Sequence, residues 1–207
     1  MATSPRRIGA QTSKTRDVLL DCVERLMLEE GYAGVTYRAV GAKAAVTSGL
    51  VQYYFPTLDD VFVATIRRRT DRNLERLVAA LEARPDQTLR VMWEFSWDEA
   101  AGALITEFTA LANHRKSIRA QIAEVIERTR QVQLDAMTKY MQTRELSDEH
   151  LSPGALLLFI TGIPKFLKLE EGIGVRTAHS DVVDAFECYL DSVEPARPHD
   201  PAPIPQG

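Results

Sequence analysis

The sequence predicts an all-α chain: an N-terminal three-helix domain containing a helix-turn-helix, then a C-terminal helical bundle, about nine helices in all. Three observations carry this prediction. Apolar residues recur at i, i+3 and i+4 from Ser13 to Val193. No stretch alternates polar and apolar residues long enough to form a strand. Helix punctuation at Gly31, Thr36, Thr57, Pro85 and Ser152-Pro153 cuts the pattern at helix-length intervals.

Composition narrows the class. With 207 residues, 45% of them hydrophobic, the chain can bury the core of one large or two small domains. The apolar run from Ala155 to Ile163 falls far short of the roughly 20 residues that span a bilayer, and Arg6-Arg7 is followed by no apolar leader. A soluble cytoplasmic protein with no membrane partner is expected. Cys22 and Cys188 each fall inside an apolar helical pattern, which predicts two buried, reduced thiols. His114, His150, His179 and His199 are scattered without ligand spacing, so no metal site is expected. No G-x-S-x-G, P-loop or dinucleotide fingerprint occurs, which predicts neither an enzyme nor a bound cofactor. Residues 1–76 hold 12 Lys and Arg against 9 Asp and Glu, whereas residues 77–207 hold 13 against 20. A mildly basic front and an acidic back suit a small nucleic-acid reader joined to a body that touches none.

Taken in order, residues 1–12 read as a polar, disordered tail. Val18, Cys22, Val23, Leu26 and Met27 mark the inner face of a helix from about Ser13 to Glu30, which Gly31 ends. Thr36 is placed to cap a short helix burying Val40 and Ala44. After a turn at Ala45-Val46, Thr47 or Ser48 caps a second, carrying Leu50 to Tyr54 up to Pro56. Two short helices about a tight turn form a helix-turn-helix, whose second helix fits the major groove. These elements make a DNA-binding domain over 13–56. Thr57 caps a long connecting helix over 57–83, the first element of a helical domain extending to 194. Its Arg67-Arg68-Arg69 run reads as a solvated face.

In that domain Leu89 to Phe95 form one helix, and Ser96-x-x-Glu99 has the spacing of a capping box that starts another toward Asn113. A third runs from about Arg115 to Met141. Ser152-Pro153 opens a helix that is apolar all round and contains Pro164, with a kink expected near Gly162. The last spans about Ala178 to Val193. Residues 195–207, rich in proline, read as a disordered tail.

Gly31-Tyr32, Thr36 ahead of Ala39-Val40, Val46-Thr47-x-Gly49 and Tyr53-Tyr54-Phe55-Pro56 together resemble the tetracycline-repressor-like (TetR/AcrR) family of bacterial transcriptional regulators over residues 14–60. The resemblance implies a homodimer binding a palindromic operator, with a small effector held in the helical body. It implies DNA contacts by Thr36, Tyr37 and Arg38 at the start of the first short helix. It places Ser48, Gly49 and Gln52 at base edges, and Leu50, Tyr53 and Tyr54 at the DNA backbone. Thr47 completes this surface, and Lys43 adds charge. Gln52 stands where the family commonly has tyrosine, and a glutamine can pair bidentately with adenine. Ala45 replaces the usual turn glycine, and Leu58 a phosphate-touching lysine.

The aromatic and methionine residues of the body nominate an effector site at Trp93, Phe108, His114, Met137, Tyr140 and Phe166, implying a mainly apolar ligand. The resemblance places the dimer interface on the last two helices, at Leu157, Ile160, Phe186, Tyr189 and Leu190. The function expected is a ligand-responsive regulator, a repressor. The alternatives are a constitutive DNA-binding protein without effector, or a helical small-molecule enzyme.

Overall fold

The computed structural model describes residues 5–101, 104–144 and 151–194. Among them are nine helices and no strand: α1 Pro5–Glu30, α2 Tyr37–Lys43, α3 Ser48–Tyr54, α4 Leu58–Ala83, α5 Thr88–Ala101, α6 Leu104–His114, α7 Arg119–Thr143, α8 Pro153–Glu171 and α9 His179–Val193. A one-turn 3-10 helix, Tyr32–Gly34, follows Gly31, whose φ of 72° ends α1. The helix begins at Pro5, inside the stretch read as a tail; proline suits a first helical turn, where its missing N–H leaves no bond unmade. The proline-rich tail lies outside the described residues. No helix among the described residues is long and apolar enough to cross a membrane.

The chain divides into two compact units. The first joins the described residues up to Asp71 with Leu104–Ile126. Its core gathers Leu20 and Met27 of α1, Val40 of α2, Val51 of α3, Phe62 of α4 and Phe108 of α6. Polar straps cross it. Arg68 of α4 donates to the Asp17 carbonyl at 2.8 Å and to the Asp21 and Glu24 carboxylates at 2.7 Å each. The arginine run is therefore not simply solvated, because its middle member turns inward onto α1. Arg115 donates to Asp59 at 2.7 Å, and Ser117 bonds the same carboxylate at 2.5 Å. Glu107 of α6 accepts the Tyr32 backbone N–H at 2.8 Å.

The second unit holds the described parts of Arg72–Ala103 and of Glu127 onward. Leu89, Trp93, Met137, Leu157, Ile160 and Leu190 form its main core. Glu194, almost wholly buried, accepts the backbone N–H groups of Leu89 at 2.9 Å and Arg90 at 2.8 Å. A carboxylate from 105 residues away thus satisfies two orphan donors of α5 and meets the positive end of its dipole.

Two expectations are corrected. Ser96 starts no helix: it is buried mid-α5, its hydroxyl donating back to the Met92 carbonyl at 2.7 Å, and α5 runs on to Ala101. Cys22 is buried, but Cys188 is exposed, because the core face of α9 is set by Val183 and Leu190. Of the residues expected at a dimer interface, Leu157, Ile160 and Leu190 are buried within the unit's own core, and Phe186 and Tyr189 pack on it half-buried. A helix apolar on all sides has no inner face legible from spacing. The outer face of α8 carries Leu158, Phe159, Phe166 and Leu169, each more than half exposed. Pro164 sits buried within α8, which continues to Glu171.

Candidate nucleic-acid interface

The helix-turn-helix is built by local chemistry at each junction. Thr36, in extended backbone, caps α2 by accepting the Ala39 N–H at 3.1 Å. At the turn the Val46 N–H reaches back to the Gly41 carbonyl at 2.8 Å, and Ala45 takes a left-handed φ of 55°. Gly41 is required by this closure, since a Cβ there would lie 2.9 Å from the Val46 carbonyl oxygen. Thr47 then caps α3, accepting the Leu50 N–H at 3.3 Å. Val40, Val51 and Phe55 are buried beneath, with Val46 half-buried beside them. Thr57 and Asp60 close a reciprocal capping box at the start of α4, the Asp60 N–H donating to Thr57 Oγ1 at 3.1 Å and the Thr57 N–H to Asp60 Oδ2 at 2.9 Å.

This scaffold leaves Thr36, Arg38, Thr47, Ser48, Gly49, Gln52 and Tyr53 on the surface, Tyr53 being 78% exposed. Leu50 is half-buried, and Tyr54 packs partly on the core, its ring edge-on to Tyr53 at 5.5 Å. Lys43 is exposed but joined to Glu29 at 2.5 Å. The Tyr37 hydroxyl donates inward, to the Pro56 carbonyl at 2.9 Å and the Phe55 carbonyl at 3.1 Å. Burial, then the Asp60 carboxylate, pushes its phenol above the usual tyrosine range. Leu58 packs against the core. Sequence reasoning missed Gly41, whose signal is a glycine inside a seven-residue helix, and Arg16, an exposed α1 cation 5.2 Å from the centre of the Phe55 ring.

The six residues nominated for an effector divide between the two units. Phe108 and His114 belong to the first unit, Phe108 in its core and His114 exposed beside Tyr32, their rings 6.0 Å apart. Trp93, Met137 and Tyr140 are buried in the second unit, and Phe166 lies on the outside of α8. Around Trp93 the structure assembles an aromatic cluster, with Phe186 at 4.4 Å and Trp97 at 5.6 Å between ring centres. The Trp97 indole nitrogen is buried without a hydrogen-bond partner among the described residues. Burial also lowers the Lys165 ammonium below the usual lysine range. No group of three metal-ligating side chains occurs among the described residues.

A doubly capped helix pair with a buried apolar seam and an exposed row of polar and aromatic side chains defines a helix-turn-helix reading head. Residues 19–65 match the family described as bacterial regulatory proteins, tetR family. The chain is 24% identical over 144 residues, 66% of its length and 67% of the relative's, to the HTH-type transcriptional repressor BepR of Brucella suis biovar 1 (strain 1330). Its fold is similar to that of a transcriptional regulator from Saccharomonospora viridis in complex with choline, with a TM-score of 0.66 at 18% identity over 87% of this chain and 95% of that one. It is also similar to FadR from Bacillus subtilis in complex with stearoyl-CoA, with a TM-score of 0.65 at 16% identity over 87% and 99%. The tetR-family match falls on the helix-turn-helix region, where the motifs between Gly31 and Pro56 implied it.

Proposed function

We propose that the chain is a cytoplasmic, homodimeric repressor that reads a palindromic operator with α3 and releases it when a small, mainly apolar effector binds the second unit. The observation that carries the reading is the pairing of exposed Gln52 and Tyr53 on a helix whose other face, Val51, is buried. A glutamine and a tyrosine in water have no structural task there, whereas in a groove they supply a bidentate donor–acceptor pair and a phosphate contact. Arg38 stands beside them as the exposed cation.

Pairing of two copies is supported by Leu158, Phe159, Phe166 and Leu169, large apolar side chains on the outside of α8 that are each more than half exposed. For the effector, the aromatic cluster and the unpaired Trp97 indole N–H in the second unit suit an apolar body carrying one acceptor group. The neighbours' ligands, choline and stearoyl-CoA, differ widely in chemistry, so the fold alone does not choose the ligand. α4 supplies residues to both units and is the element through which occupancy would reset the spacing of two reading helices.

The test is in-vitro selection from random duplexes, followed by gel shift. Gln52→Ala should weaken the selected site about tenfold or more. Arg38→Ala should weaken specific and non-specific DNA alike and reduce the salt slope by about one. Wild-type affinity in both variants would refute the assignment of α3. Operator affinity unmoved by saturating effector would refute the switch.

A further inference from the structure

α3 has only seven residues, so its direction is set by what holds its two ends rather than by its own few hydrogen bonds. Thr47 fixes the first end. At the other, the backbone leaves the helix through Phe55 and Pro56, whose carbonyls have no helical donor to receive. The Tyr37 hydroxyl lies 2.9 Å from the Pro56 oxygen and 3.1 Å from that of Phe55. Tyr37 begins α2 and Phe55 follows α3, so this contact ties the free ends of the pair, opposite the Gly41–Val46 closure at the turn.

A hydroxyl has one proton, and here it is committed to the protein's own backbone, which makes Tyr37 a poor donor to a DNA phosphate. We infer that Tyr37 is a positioning residue of the reading head: its hydroxyl fixes the C-terminal end of α3 against α2 and so sets where Gln52 meets the groove. The inference rests on the reading of α3 given above. Productive recognition tolerates displacements of only about 0.5 Å, so a tether at the end of so short a helix bears directly on where Gln52 lies.

A double-mutant cycle tests it, using Y37F, Q52A and the double variant of the full chain on the duplex selected by the wild type, with a random duplex alongside. Circular dichroism checks the fold, and Tyr37→Met, which keeps bulk without a hydroxyl, repeats the cycle if Y37F melts. In the wild type, Q52A should cost about tenfold on the selected duplex; in Y37F the same change should cost less than about threefold, because neighbours that act together are not additive. Y37F alone should lower the specific-to-random ratio about tenfold while leaving random-duplex affinity within about twofold. Equal costs of Q52A in both backgrounds, or equal losses by Y37F on both duplexes, would overturn the inference and return Tyr37 to a phosphate contact. If Q52A costs nothing in the wild type, the reading of α3 itself fails and this inference with it, a result distinct from additivity.

Discussion

Ala45 holds a φ of 55°, where a β-carbon crowds the following carbonyl and glycine rests without strain. Ala45→Gly relieves that crowding but adds freedom to the unfolded chain. The net expectation is a gain of about 0.5–1 kcal/mol, measured as a higher urea midpoint with operator affinity retained; a lower midpoint would show that the turn carries no strain. This conformation was legible in advance, because alanine stands where such turns usually place glycine. Ala178, also left-handed with a φ of 64°, gave no such signal, since nothing local marks it as a cap. The close approach at Gly41 was equally silent, because it depends on where Val46 comes to lie.

Among elements, the first turn of α4 is anchored through Asp59 to Arg115 and Ser117. The Ser117 hydroxyl, followed by Arg115, holds the Asp59 carboxyl below the usual carboxylate range against the opposing effect of burial. Its folded pKa is therefore lower than its unfolded one. The stability it contributes is complete above the unfolded value of about 4 and is lost as pH falls through the folded value. In urea melts the wild type should exceed Asp59→Asn at pH 6, the gap narrowing as pH falls below about 4; a difference that does not change with pH would disprove the linkage. Helix starts marked by Thr36, Thr47, Thr57 and Ser152 were readable because one hydroxyl caps each of them. The boundary between α5 and α6 was not. Ser96-x-x-Glu99 is a capping-box spacing, but a buried serine satisfies itself on the preceding turn just as well.

At the scale of the molecule, the proposed pairing of copies is tested on the outer stripe of α8. Phe166→Glu places a charge on a face that is 57% exposed at that position, so the subunit should keep its helicity while sedimenting as a monomer. Operator affinity should then fall by a factor on the order of 100, the avidity lost when two heads no longer bind together. A dimer with full affinity would exclude this face. Which side of α8 looks inward was beyond the sequence, because Leu156–Leu157 and Leu158–Phe159 are equally apolar and only packing against α5 separates them. The helix pair near the N-terminus was legible from its capping residues and motifs. The chain's return to the first unit through α6 was not, since Leu104, Phe108 and Leu111 look like any other helical core.

The position of Trp93 and Trp97 gives the molecule an optical property. They are its two tryptophans, one turn apart on α5, and both lie in the second unit. Excited selectively, the protein emits from the second unit, away from the proposed reading helix. A spectral change on adding a duplex is then the signal of one unit sensing the other, obtained without any attached dye.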